Sequence, residues 1–444
     1  MNKLIGLMML VIGVYPIAAQ KPLTAEESVK IALQRNVSLM TANENLKSSE
    51  SAKKSAYGSL LPSVNGSAGW NYSKSVYGSG SLYQGAPTST IDSRTYSTSV
   101  NSEWTVYDGL SNYASLFRGE KNFEAAKYEL LKLKQDVVFQ TLSYFYDLLD
   151  AQKLLSVKEE DLKWNKKNYE IIVEKNKLGA LTLADVYQQQ VNLGNAELEL
   201  IKAKNNYQSL QSSFLYYLGL DVLEEYSFVE PIENTNENQP EAGTKTDFEK
   251  ISNLVSDAAA NRADYTSAKL QVESASESIK IAQAGYLPVL TNSIAISSSV
   301  GSLKNLFSDR DYSFGLNLSI PIFRGWAIDN QVQLAEVAHK VKQIQLDDLT
   351  RQIKRDIQKN YLDLQASYKR LEVSRETVKA AEENRRIEEE KYSLGATTLL
   401  NVLIANSSLT NASTGLINAK YEFRKLKDQT EYLLGKLDYQ KFEK

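Results

Sequence analysis

The sequence predicts an α+β membrane protein in which long coiled-coil α-helical hairpins are joined to two transmembrane β-hairpins, four strands per chain, within an internal two-fold repeat. Three observations predict it. The second half repeats the first at a fixed offset, two 70-residue stretches contain no proline, and the segments before them alternate apolar and polar residues with a period of two.

The repeat organises everything else. Val106-Tyr107-Asp108-Gly109 returns as Ile322-Phe323-Arg324-Gly325, 216 residues later. The same offset carries Asp147-Leu148 onto Asp363-Leu364, Leu178-Gly179-Ala180 onto Leu394-Gly395-Ala396, and Leu218-Gly219 onto Leu434-Gly435. Upstream, Leu61-Pro62 matches Leu287-Pro288 at an offset of 226, so the first copy carries ten extra residues in one place, which marks a loop. The copies span residues 21–220 and 248–437, with a Glu/Asn/Pro-rich connector at 221–247 and a short tail at 438–444.

The first element, residues 1–20, reads as an export signal. Lys3 gives the positive start, Leu4 to Val14 the apolar run, and Pro16 with Ala18-Ala19-Gln20 the break and cleavage site. The competing reading, an uncleaved anchor, needs a longer apolar stretch. Beyond residue 20 no window of 18 consecutive apolar residues exists, so residence in a membrane requires a β-barrel.

Each copy then reads as a leading helix (23–60; 248–286), a strand pair (63–108; 289–324) and a helical hairpin (109–219; 325–435). The clearest strand runs through Tyr312, Phe314, Leu316, Leu318, Ile320 and Ile322, with small or polar residues between most of them. Val64, Ala68, Trp70 and Tyr72 alternate likewise, as do Tyr96, Val100, Trp104 and Val106, and more weakly Leu290, Ile294 and Ile296. Gly/Ser-rich loops, Ser75 to Arg94 and Ser302 to Arg310, separate them. Strands of about 9–11 residues with one apolar and one polar face suit a bilayer on one side and water on the other. A half-buried soluble hairpin shows the same alternation.

The helices carry heptads. Leu116, Phe123, Leu130, Val137, Tyr144 and Ala151 fall seven apart, as do Ile357, Leu364, Leu371 and Val378. A 70-residue helix is about 105 Å long. Both long helices stop at Leu-Gly-Ala, with tips at 178–182 and 394–398, and new helices start at Thr182 and Thr398. The expected shape is a narrow rod with strands at one end and two tight turns at the other. Four strands cannot close a barrel; three copies supply twelve, enough for a water-filled lumen. A mean hydropathy of −0.37 fits helices wetted on an inner face too.

Composition removes other functions. With 51 basic and 54 acidic residues the net charge is −3, so no basic field attracts nucleic acid. Without cysteine there are no disulfides, thiolate metal sites or lipid-modified N-terminus, and one histidine excludes His-cluster metal sites. That histidine, His339, aligns with Phe123 at a heptad core position and reads as packing. Glu388-Glu389-Glu390-Lys391 reads as a solvated helix face, and Gly78-Ser79-Gly80-Ser81 as a loop without the context of a phosphate site. No catalytic residue, metal or cofactor is expected. Trp70, Trp104 and Trp326, at strands and strand ends, read either as core or as an interfacial aromatic girdle.

The duplicated order of Leu-Pro, strand pair, Tyr-Asp-Gly or Phe-Arg-Gly, and Lys-x-x-Leu-Gly-Ala resembles the TolC-like outer membrane efflux protein family, from about residue 23 to 437. The resemblance implies a homotrimer with a 12-stranded barrel in outer-membrane lipid of a Gram-negative bacterium and a long periplasmic α-helical barrel. It implies a passive exit duct for a tripartite pump, joined through a periplasmic adaptor (membrane fusion) protein to an inner-membrane transporter of RND or ABC type. A type I protein-secretion duct, a metal-efflux duct, and an exported coiled-coil scaffold are the alternatives.

In that family the helical turns form a gate and dock the adaptor. By position the docking tips here are Leu178, Gly179, Ala180, Leu394, Gly395 and Ala396, although glycine is needed at such stops in any case. For the gate, Tyr392 and Asp185 match a tyrosine and an aspartate of the family's contact ring. Thr397 stands where an arginine is expected, and Asn401 and Ile404 stand where aspartates can ring the constriction. The expectation is a hydrogen-bonded gate of Tyr392 and Asp185 in place of a salt-bridged one. Asp185 reads equally as a helix N-terminal charge.

Overall fold

The computed structural model describes residues 21–77, 89–230 and 248–443. In chain order the elements are β1 (Lys21–Leu23), α1 (Ala25–Arg35), α2 (Val37–Gly58), β2 (Ser63–Tyr77), β3 (Ser89–Tyr107), α3 (Ser111–Lys177), α4 (Leu183–Leu218) and β4 (Tyr226–Phe228). Then come α5 (Phe248–Asn261), α6 (Ala263–Gln283), β5 (Val289–Val300), β6 (Asp311–Ser319), α7 (Ala327–Ser393), α8 (Leu399–Leu433) and α9 (Gln440–Glu443). The proposed leader and the Gly78-to-Ser81 loop lie outside the described residues.

The repeat is written into the backbone. The long helices α3 and α7 have 67 residues each and begin and end 216 residues apart. Among the described residues six glycines have positive φ, namely Gly109, Gly179 and Gly219 with Gly325, Gly395 and Gly435, again 216 apart. The two non-glycine residues in that region, Leu110 and Trp326, form the same kind of pair. Compactness cuts across the repeat, because each of two units draws on both copies. One gathers residues up to Met40 with Leu133–Asn261 and Lys354 onward; the other comprises Thr41–Lys132 and Arg262–Ile353.

The leading helices, expected to be continuous over 23–60 and 248–286, are each broken in two. Asn36 leaves the helix (φ −63, ψ 124), ends α1, and accepts hydrogen bonds through Oδ1 from the Ser38 and Leu39 N–H groups of α2. The equivalent residue in the other copy, Arg262, takes φ −73 and ψ 124 between α5 and α6. An asparagine side chain can replace lost backbone partners, so a break there costs little.

In the first unit the core gathers around Phe145, Phe214 and Phe228, whose ring centroids lie 5.9–6.4 Å apart. Leu148, Leu149, Leu215 and Leu218 are fully buried with them. The described start of the connector is ordered into β4, which pairs in parallel with β1, Leu23 opposite Phe228. Glu230 then accepts from Lys420 and Arg424 of α8, at 2.9 and 3.0 Å. Nearby, Lys425 bonds both oxygens of Asp147, whereas Asp150 Oδ1 is buried with no partner.

Burial first, and the Asp147 charge second, push the Asp150 carboxyl up from 3.8 to about 6; Lys425 opposes them. A folded-state value above the unfolded one means that protonation favours folding. That contribution is complete below about 3.8 and is lost as pH rises through about 6. The full displacement is worth roughly 3 kcal/mol, reduced to about 1 kcal/mol by residual water contact. Asp150→Asn should therefore stabilise the protein by about 1 kcal/mol at pH 7.5 and by nothing at pH 4. Chemical denaturation at the two pH values checks this, and an equal effect at both would refute it.

In the second unit, β2-β3-β5-β6 form one antiparallel sheet in that order. At 15 and 19 residues, β2 and β3 exceed the expected 9–11, because both ends of the supposed Ser75-to-Arg94 loop, 75–77 and 89–94, are paired, Ser75 opposite Ile91. In contrast, β6 stops at Ser319, leaving Ile320 and Ile322 beyond the ladder and Ile322 96% exposed. Pro321 has no N–H to continue the pairing. One sheet face presents Val64, Trp70, Tyr72, Val100, Ile294, Ile296, Phe314, Leu316 and Leu318, all exposed. The other face carries serines and asparagines bonded laterally, as in Ser67 to Ser99 at 2.8 Å and Asn101 to Ser99 at 3.2 Å.

The heptad positions are not uniformly core. Val137, Ala151, Ile357 and Leu371 are buried, but Phe123 and His339 are only half-buried. The ammonium groups of Lys53 and Lys127 lie 5.5 and 4.3 Å from the Phe123 ring. Lysine stems cover that seam where a dry core was expected.

Candidate functional site

The two helical turns belong to the first unit and are built alike. The N–H groups of Gly179 and Ala180 donate to Asn176 and Lys175 carbonyls, both at 2.9 Å. Gly395 and Ala396 donate in the same way to Tyr392 and Lys391, at 3.1 and 2.8 Å. This double bond pattern needs a left-handed residue, which glycine supplies at φ +75 and +76. Leu178 and Leu394 are left 84% and 77% exposed at the tips, large apolar side chains that nothing among the described residues covers.

The turns differ in how they are fastened. In the first, Thr182 and Asp185 form a capping box: Asp185 Oδ2 accepts from the Thr182 N–H at 2.9 Å and from its hydroxyl at 2.7 Å. Those bonds hold the Asp185 carboxyl below the usual range. In the second, the equivalent of Asp185 is Asn401, and Thr398 makes no side-chain cap. Instead Asn401 Nδ2 donates to Thr397 Oγ1 and Thr397 to Glu388 Oε2, both at 2.9 Å, while Lys391 Nζ donates to Glu388 at 2.8 Å. These bonds hold the Glu388 carboxyl below its ordinary range, Lys391 first and Thr397 second.

The acidic run is therefore not simply a solvated face. Glu388 clamps the turn, Glu389 accepts from Trp164 Nε1 at 2.8 Å, and Glu390 pairs with Arg386 at 3.2 Å. Only the nine-residue spacing from Glu388 to Thr397, across a turn, could have signalled the clamp.

Ile172, Val186 and Leu399 form the buried centre beneath the turns, and Tyr392 packs against it. Lys175 Nζ stands 4.5 Å from the Tyr392 ring centroid. Burial, then the Asp185 charge, raise the phenol's pKa, so the hydroxyl stays a proton donor. That hydroxyl is buried without a partner. Within one chain the expected Tyr392–Asp185 hydrogen bond is not made; among the described residues Asp185 Oδ2 accepts from Thr182 alone.

In the second unit, Trp104 Nε1 donates to the Leu60 carbonyl at 3.1 Å, while Trp70 and Trp326 are exposed. Trp326, with φ 63, meets Phe323 edge-on at 6.3 Å. None of the three lies in a core.

Residues 29–219 and 254–434, which cover both repeats, match the family model described as outer membrane efflux protein. The chain belongs to the outer membrane efflux protein family. It is similar to the outer membrane protein TolC of Salmonella enteritidis, 23% identical over 365 residues, 79% of this chain and 71% of that protein. It is also similar to TolC of Vibrio cholerae, 22% identical over 400 residues, 89% and 84% of the two chains. The outer membrane channel CmeC of Campylobacter jejuni shares the fold with a TM-score of 0.80 at 18% identity, covering 94% of this chain and 88% of that one. As an outer membrane efflux protein it resides in the outer membrane, and no helix among the described residues is long and apolar enough to cross one.

Proposed function

We propose that three copies of this chain close one 12-stranded barrel and act as the passive exit duct of a tripartite efflux pump. An inner-membrane transporter of RND or ABC type would deliver solutes through a periplasmic adaptor docked at Leu178–Ala180 and Leu394–Ala396. The observation that carries this reading is the four-stranded sheet, whose outer strands β2 and β6 are each paired on one side only. Its exposed apolar face suits lipid, and lipid tolerates no open sheet edge.

The repeat also gives the register between copies. Within the chain Thr98 lies opposite Ser298 and Val100 opposite Ile296. Moving β3 forward by 216 residues and β5 back by 226 sets β6 against β2 of the next copy. Phe314 then faces Tyr72 of the partner subunit, and Leu316 faces Trp70 of the partner subunit. The chain has no cysteine, so the paired variant Leu316→Cys with Trp70→Cys reports cleanly. Oxidation should link subunits into trimers, whereas Leu316→Cys with Asn71→Cys should not, since a one-residue slip reverses the face. A monomeric detergent-corrected mass for the wild-type protein would overturn the proposal.

For the gate we propose that the Tyr392 hydroxyl, unpartnered in its own chain, meets Asp185 of a neighbouring helix pair, with Thr397 and Asn401 fixing the second turn. Tyr392→Phe removes only that donor and should raise single-channel conductance in planar bilayers; unchanged conductance would remove Tyr392 from the gate. Asp185→Ala should open the channel similarly and cost about 1 kcal/mol through loss of the cap.

A further inference from the structure

A cavity of about 380 Å³ lies between α3 and α7, lined among others by Trp164, Lys167, Asn168, Lys175, Arg385 and Tyr392. Its chemistry is lopsided. The lining carboxylate, Glu389, already accepts from Trp164 and lies 3.8 Å from Arg385 Nε. Among the described residues Lys167 and Lys175 have no carboxylate partner, and Lys175 instead stands over the Tyr392 ring. One further donor in the lining, Asn168 Nδ2, is buried and unbonded; the Tyr392 hydroxyl is left to the gate proposed above. Two lysines without a carboxylate partner and one orphan amide donor thus face a single lining carboxylate that is already in use, and Arg385 is held by that carboxylate and, at 3.4 Å, by Asn406. A site so rich in donors is completed by a ligand that brings acceptors and negative charge.

The architecture does not dictate this chemistry. At the equivalent places in the other copy Trp164 becomes Ala380, Lys167 becomes Glu383, and Arg385 corresponds to Tyr169. Packing demands common to both copies would leave the same residue types in each. Lys175 and Asn168 do recur, as Lys391 and Asn384, so the cavity's distinctive residues are Trp164, Lys167 and Arg385.

From this imbalance we infer that the α3–α7 cavity is an oxyanion-binding site, taking a phosphate or carboxylate group between Lys167 and Lys175 with Trp164 as an apolar wall. The inference does not depend on the trimer or on the efflux role. The test is isothermal titration of the purified full-length protein in detergent, at constant ionic strength, with inorganic phosphate in one arm and glutarate in the other. Saturable binding is expected, weakened about tenfold by Lys167→Gln and by Lys175→Gln. Lys166→Gln, on the same helix but outside the cavity, should leave it unchanged. Binding in the phosphate arm alone assigns a phosphate ligand, and binding in the glutarate arm assigns a carboxylate. No saturation in either arm, or an equal loss in Lys166→Gln, overturns the site, the latter because it would reflect only the general field of an exposed helix.

Discussion

Phe314→Arg should cost about 2–4 kcal/mol in the assembled protein, while Ser313→Arg, one residue away, should cost little. Phe314 is 67% exposed on the apolar face of β6, opposite Ile294; Ser313 points to the other face, opposite Ala295. In water an exposed phenylalanine can be replaced by a charge almost freely. In lipid the same change puts a guanidinium into hydrocarbon, whereas the serine face meets the proposed lumen. The yield of heat-resistant oligomer from outer membranes measures the difference. Equal yields for the two variants would show that the apolar face does not meet lipid, and the barrel would lose its main support.

Gly109→Val should destabilise the second unit by about 4 kcal/mol, combining a left-handed backbone penalty with a steric one. Gly109 has φ +70, and a Cβ there would lie 2.9 Å from Leu287 Cβ and 3.0 Å from the Ala284 carbonyl oxygen. Gly179→Val shares the backbone penalty but meets nothing within 4 Å, so about 1–2 kcal/mol is expected. Thermal denaturation of the two variants against wild type separates the terms. Equal losses would mean that the Leu287 contact does not constrain the native state.

The contact at Gly109 also explains two sequence signals at once. The Leu-Pro of the second copy and the Gly of the first stand far apart in the chain, yet Leu287 sits on Gly109. The related pair would be Gly325 and Leu61. A Cβ on Gly325 meets nothing within 4 Å among the described residues, and Leu61 is exposed. In the proposed trimer these two come together across the subunit boundary, just as β6 meets β2.

Local chemistry let much of this be read from the residues. The long helices, the glycine stops and the starts at Thr182 and Thr398 depend on backbone conformation, and the residues near each point set it. The two faces of the sheet follow from a period-two pattern that no tertiary context can disguise. The end of β6 at Ser319, just before Pro321, and the break at Asn36 were also local matters, but weaker signals, overshadowed by the hydrophobic pattern around them. What only the tertiary structure decided was the partner of each side chain. Glu388 and Glu389 resemble any exposed acidic run until Thr397 and Trp164 are brought to them from a turn and from another helix. Asp150 acquires its raised pKa from burial, and the α3–α7 cavity its excess of donors from where the acceptors are not. Periodicity records which face of a helix is apolar, but a polar residue declares its role only when the fold supplies or withholds its partner.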